Sequence, residues 1–227
     1  MKPMIAKKPT LTLKPMKQLL GACILAAAPL VFGADAGSDP VGYLQEQWAI
    51  DNYELSGKDQ QKSFLALIED ADKLVSSHPQ DASLVIWRGI IKSTYAGVKG
   101  GLGALKYAKA AKADFEKGIE LDAKALDGSA YTSLGTLYFN VPGWPIGFGD
   151  DKKAESMLKQ GLAMNPQGID ANYFYGQYLR DEGRYEEARK HLQMALTAAP
   201  RAGREVADAG RRKEVQNLLH EVEQHLN

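Results

Sequence analysis

The side chains of this chain that could do chemistry are few, and their spacing argues against most reactions. His220 and His225 bracket the run Glu-Val-Glu-Gln. A zinc-binding helix needs its two histidines four apart, on one face. Five residues carry a helix about 140° past a full turn, so these imidazoles do not converge and a solvent-exposed role is expected for both. His78 precedes a proline, and His191 has no cysteine or second histidine at ligand spacing. The glycine-rich run Gly97-Val-Lys-Gly-Gly-Leu-Gly103 could offer backbone amides to a phosphate, yet it lacks the Gly-Lys-Ser/Thr ending and no strand leads into it. An ordered loop between helices is expected there instead. No catalytic residue, metal ligand or cofactor site is expected.

Cys23 is the only cysteine, and it lies inside an N-terminal segment laid out as an export signal. Lys7, Lys8, Lys14 and Lys17 precede the apolar run Leu19 to Phe32, which ends in Gly33-Ala-Asp-Ala36. Basic, then apolar, then Ala-x-Ala is the order of a secretory signal peptide, here residues 1–36 with cleavage after Ala36. The apolar run is shorter than the roughly 20 residues of a membrane span, so none is expected in the mature chain. Leu20-Gly-Ala-Cys23 is similar to a lipoprotein cleavage site, but most of the apolar run follows the cysteine instead of preceding it. Outer-membrane anchoring through Cys23 is therefore the weaker expectation, and a soluble periplasmic protein the stronger. The chain carries 28 basic and 28 acidic side chains, with no basic excess to attract nucleic acid.

Behind the leader and a short linker at residues 37–40, the apolar residues recur at helical spacing, and runs of alternating β-branched residues are missing. A first helix carries Leu44 and Trp48 and ends at Gly57. A second, from about Lys58, carries Phe64, Leu67, Ile68, Ala71 and Val75 and stops at His78-Pro79. A third follows Asp81, and Tyr95 to Gly103 is expected as a long connection to a fourth over about 105–121. Further helices are expected from near Gly128, around Ala154 to Gly161, from Ile169 to the turn Asp181-Glu-Gly183-Arg, and from that turn to Pro200. A last helix over about 208–226, capped by Asp208, keeps Val215, Leu218, Val222 and Leu226 on one stripe.

The stretch Ile169 to Ala202 resembles a tetratricopeptide repeat. Counting Ile169 as the first of about 34 positions, Gly176 is the eighth, Leu179 the eleventh, Ala188 the twentieth, Leu192 the twenty-fourth, Ala195 the twenty-seventh and Pro200 the thirty-second. Small residues suit the points where two antiparallel helices come closest, at about 8–10 Å between axes. Gly183 suits the left-handed residue at a helix end, and Pro200 stops the second helix. Pro79 stands ten residues before Gly89, as Pro166 does before Gly176, and Leu134, Gly135 and Tyr138 repeat the pattern. The resemblance implies an all-α fold, a short α-solenoid of helix-turn-helix repeats at about 41–79, 82–125, 128–168 and 169–202, with the last helix as a cap. Against this register, Gly97–Gly103 and Val141–Gly149 are insertions at equivalent turns, expected side by side on one edge.

Such repeats are scaffolds for binding, and the first helix of each pair lines the concave face through its second, fifth, ninth and twelfth positions. The resemblance places Ile86, Ile90 and Ser93, then Thr132, Thr136 and Phe139, then Tyr173, Gln177 and Arg180 on that groove. Lys99, Trp144 and Phe148 are expected as a rim on the inserted loops. The lysine-and-asparagine clamp that some relatives close on a peptide's C-terminal carboxylate is not matched, since Ile86, Thr132 and Tyr173 occupy a key position. The leading expectation is a non-enzymatic periplasmic scaffold that binds a protein or peptide in the groove. The alternative is a small-molecule-binding accessory component of a solute transport system, with the inserted loops closing a pocket.

Overall fold

The computed structural model describes residues 39–101 and 103–226. The expected leader over residues 1–36, Cys23 within it, and positions 37–38 of the linker lie outside the described residues. Helix α1 spans Pro40–Tyr53, with proline at its start and the Asp39 carboxylate accepting from the Gly42 N–H at 2.8 Å. Asp39 and Pro40 thus begin the helix instead of ending a linker. Helices α2 (Gly57–Ser77), α3 (Ala82–Lys99) and α4 (Ala104–Leu121) follow, with Asp81 capping α3 at the Leu84 N–H. A single 3-10 turn leads into α5 (Ser129–Asn140). Asp150 then caps α6 (Asp151–Met164) by accepting from two backbone N–H groups. Next come α7 (Ile169–Asp181), α8 (Tyr185–Thr197) and α9 (Glu205–Leu226). Among the described residues there is no strand.

Consecutive helices pair antiparallel where small residues let them approach. A Cβ added to Gly135 would lie 2.9 Å from the Leu158 nitrogen and 3.0 Å from the Ala154 carbonyl oxygen. On Gly176 it would lie 3.0 Å from two carbons of Leu192 and 3.5 Å from the Ala188 carbonyl oxygen, so Leu192 fills the space that the glycine leaves. The second helices reciprocate: Gly118 lies under Ile86, and Gly161 under the Thr132 backbone. Gly183 turns α7 into α8 with φ of +74°, the Arg184 N–H reaching back to the Leu179 carbonyl at 2.8 Å.

Two boundaries differ from the sequence expectation. Tyr95 and Ala96 are buried, which carries α3 through Lys99, so the connection to α4 is only Gly100 to Gly103. The insertion therefore adds a turn of helix more than it adds loop. Helix α9 starts at Glu205, a turn before Asp208, and Asp208 is not its cap: its carboxylate accepts from the Arg201 N–H at 2.9 Å and from the Arg201 guanidinium. This ties the preceding turn down onto the helix.

The first helices of successive pairs form an inner row in which α1 packs on α3, α3 on α5, α5 on α7 and α7 on α9. That row closes, because α9 also packs against α1. Ala207 of α9 is buried in the same apolar cluster as Leu44, Trp48, Phe64 and Trp87. Tyr53 of α1 covers Gly210 and donates its hydroxyl to the Glu214 carboxylate at 3.3 Å. The second helices α2, α4, α6 and α8 stand outside this ring. Between them and the ring, Arg88 and Lys92 of α3 share the buried carboxylate of Asp114 on α4 and reach Asp72 on α2.

Asp51 is fully buried on α1; Gln47 and Ser63 donate to one carboxylate oxygen, and the other has no partner among the described residues. Burial raises its carboxyl above the ordinary value, more than these two donors lower it. A raised carboxyl favours the protonated fold, so stability falls as pH rises from the ordinary value through the raised one. Asp51→Asn is expected to melt a few degrees higher than the native protein at pH 7 and to lose that advantage near pH 3, measured by circular dichroism.

Candidate functional site

Closing the inner row leaves a partly open cavity of about 880 Å³ between the first helices. Its lining comes from all five first helices, including Trp48 of α1, Ile90 of α3, Thr136 of α5, Phe174 of α7 and Arg211 of α9. These helices run the same way, since each pairs antiparallel with its second helix, so the cavity has two unlike ends. At the C-terminal ends lie Ala96, Gly97, Asn140, Val141, Pro142 and Ile146, which puts both inserted segments on one cavity. At the N-terminal ends lie Ser129, Asp170 and the three arginines of the α8–α9 turn and of α9.

The N-terminal end is an ion network built by the turn after Pro200. The Arg201 guanidinium donates to Asp208 at 2.6 and 2.8 Å and to Asp170 at 2.7 Å. Arg211 donates to the other Asp170 oxygen at 2.7 Å and to Glu214 at 2.5 Å, with its guanidinium carbon 4.6 Å from the ring centroids of Tyr173 and Phe174. Burial alone would raise the Asp170 carboxyl, but Arg211 and then Arg201 outweigh it and hold the group at about 2. The Asp170 side chain nonetheless keeps 33 % of its surface accessible; it lies deep among protein atoms and faces the cavity. Arg204 differs from its neighbours. It lies over Trp87, 5.1 Å from the ring centroid, and makes no salt bridge among the described residues.

The expected groove residues separate into three fates. Thr132 and Thr136 line the cavity, together with Ile90 and Ser93. Thr132, like Ile86, is mostly buried over the glycine of the opposite helix, because the fifth position faces the closest approach of the pair as much as the groove. Phe139 leaves the cavity and packs edge-on against Tyr178 at 5.5 Å. Tyr173 lies under Arg211, Arg180 is held by Glu221 of α9 at 2.6 Å, and Gln177 is half-buried away from the lining. The loop residues are not gathered into a rim. Phe148 folds back onto Tyr138 at 5.9 Å, Lys99 lies 6.0 Å from the Tyr95 ring, and Trp144 is 89 % exposed.

The residues that sequence reasoning missed are Asp170, Arg204 and Arg211. Asp170 is the second position of the repeat beginning at Ile169, a groove position. Continuing the register so that Gly210 is an eighth position makes Arg204 a second and Arg211 a ninth. The histidines bear on no site: His191 meets the Asn172 side chain at 2.9 Å, His225 stacks on Tyr185 and His220 meets Gln224. Among the described residues no three His, Cys, Asp or Glu side chains are grouped to hold a metal ion.

Residues 146–213 match the family model of the tetratricopeptide repeat. That part of the chain is a tetratricopeptide repeat, set within an all-α repeat solenoid. The chain's fold is similar to the crystal structure of a thermophilic tetratricopeptide-repeat protein of Thermus thermophilus, with a TM-score of 0.52 at 17 % identity, over 71 % of this chain and 78 % of that one. Two crystal structures of MamA match at 18 % identity and a TM-score of 0.43, covering 74 % and 80 % of this chain and 91 % of each of those. At 17 % identity the likeness to the Thermus protein is one of fold. No curated protein matches the chain in sequence. Among the described residues no helix is long and apolar enough to cross a membrane.

The site depends on the contact between the first and last inner helices. A Cβ on Gly210 would fall 2.5 Å from two ring carbons of Tyr53, which is half-buried. Gly210→Leu is expected to cost about 1–3 kcal/mol by overpacking, lowering the melting temperature by about 2–12 °C. Hydrogen exchange should then speed up in α1 and the start of α9 while α5 and α6 keep their protection.

Proposed function

We propose that this repeat protein is a non-enzymatic ligand-binding protein of the bacterial periplasm that holds a small molecule inside its inner ring, as an accessory component of solute handling. The observation that carries this reading is the packing of α9 on α1, which turns an open groove into a cavity of about 880 Å³. Small-molecule sites commonly measure about 300–1,000 Å³ and are mainly apolar with a few placed polar groups. A peptide laid along the concave face would need the third-repeat positions free, and there Arg211 covers Tyr173 while Glu221 holds Arg180. The periplasmic part of the reading rests on the basic, apolar and Ala-x-Ala order of residues 1–36.

The test is a melting screen of the purified protein against organic acids, amino acids, sugars and lipids. A ligand at a hundred times its Kd adds about 2.7 kcal/mol, a rise of about 5–11 °C for a domain of this size. A second reading, in which the fold serves as a protein-interaction scaffold, is favoured by the loop apex, where Trp144 and Ile146 are 89 % and 64 % exposed. Flat melting curves across the screen, together with an envelope protein retained by the native chain and released by Trp144→Ala, would replace the first reading with the second.

A further inference from the structure

The two ends of the cavity differ in chemistry, and that difference selects a ligand class. Along the walls, Ile90, Ala104, Leu105 and Val141 each leave part of an apolar side chain open. The axis between the ends is as long as α5, whose 12 residues rise about 18 Å. At the N-terminal end, Arg201 and Arg211 are engaged by Asp170, Asp208 and Glu214, while the guanidinium of Arg204 has no carboxylate at salt-bridge distance among the described residues. Its Nε–H is buried without an acceptor. A half-buried guanidinium whose buried Nε–H lacks an acceptor is costly, and a carboxylate matches its planar fork of donors.

We infer that the cavity takes a carboxylate-headed amphiphile, its head against Arg204 beside Asp170 and its apolar body running along the first helices toward Ile146. This rests on the small-molecule reading above and names the ligand's chemistry. Burial, and next the charge of Arg201, push the Arg204 guanidinium below its ordinary value, and the charge of a bound anion offsets them. The head carries a single charge, because Asp170 and Asp208 already neutralise the neighbouring arginines and Asp127, exposed on the same lining, repels a second negative charge. The aligned N-termini of α5, α7 and α9 at this end favour the anion further.

Calorimetric titration of the purified protein with dodecanoate, dodecanol and dodecylamine tests this, each kept below its micelle-forming concentration. Dodecanoate is expected to bind at least about tenfold more tightly than dodecanol, and dodecylamine more weakly than either. Arg204→Gln, shown by circular dichroism to melt cooperatively, should weaken dodecanoate about tenfold or more while moving dodecanol less than about twofold. Thr136→Phe, which fills the middle of the cavity, should weaken both alike. Equal affinity for dodecanoate and dodecanol, unchanged by Arg204→Gln, would overturn the inference and leave the small-molecule reading standing. Failure of all three probes to bind also overturns it, and the melting screen then decides separately whether the cavity holds any metabolite.

Discussion

Phe115→Ala is expected to lower the melting temperature by about 6–20 °C, the largest single effect in the chain, corresponding to about 3–5 kcal/mol for deleting a fully buried phenylalanine. Phe115 is 0 % exposed, and its ring edge lies 2.7 Å from where a Cβ on Gly89 would be. The vacated space cannot collapse easily, because Asp114, the preceding residue, is pinned by Arg88 and Lys92 from α3. Helix α4 is thus held at its distance while the ring between the helices is gone. Gly89→Ala alone should also destabilise, by driving a methyl group into that ring. Combined with Phe115→Ala, the same methyl group enters vacated space, so the double variant should be more stable than the two losses summed. Melting curves of the four proteins give the coupling. Additivity within about 0.5 kcal/mol would mean that the ring is not what makes position 89 a glycine.

That pair shows why the helix pairs were legible in the sequence. Two helices can approach closely only over a residue without a side chain, and the chain marks this at Gly89, Gly135 and Gly176, with Pro79 and Pro166 each ten residues ahead of the first and last. Helix ends were legible for the same local reason, as at Gly183 and after Pro79. The closure of α9 on α1 was not. Curvature along a row of helices accumulates from side-chain volumes at every contact, and no local pattern encodes the sum. The one trace is Gly210, which sits in register with the other glycines but meets Tyr53 of α1.

The site was half legible, and the missing half has a physical cause. Thr132 and Thr136 follow from repeat position, as do Ile90 and Ser93, and all four line the cavity. Tyr173 and Arg180 follow from the same rule, but each is engaged by a side chain of α9, the helix expected as a cap. Reading α9 as one more first helix brings Arg204 and Arg211 onto the groove. The ring turns Arg211 inward to 8 % exposure and pairs it with Asp170. The extension of α3 through Lys99 was hidden by Gly97, a helix-weakening residue. Burial of Tyr95 and Ala96 outweighs that weakness.

Asp170→Asn should lower the melting temperature by about 4–12 °C at pH 7 while raising the affinity for a carboxylate. Breaking a buried pair costs about 3–5 kcal/mol. Here about 2–3 kcal/mol is expected, because 33 % of the Asp170 side chain is open to the cavity and the arginines keep Asp208 and Glu214. The pH dependence separates loss of charge from loss of shape. The Asp170 carboxyl is held at about 2 against an ordinary value of 3.8, so its stabilisation is complete above 3.8 and disappears as pH falls through 2. The gap between native and Asp170→Asn melting temperatures should therefore be constant from pH 7 to pH 4 and close toward pH 2; a gap that persists there would mean that the side chain acts through packing. With Asp170 neutral, Arg201 and Arg211 each lose a partner and turn surplus charge toward Arg204, so dodecanoate should bind several-fold more tightly even as the protein melts sooner. Asp170 would then hold the cationic end together in the empty protein by competing for the arginines that a ligand needs.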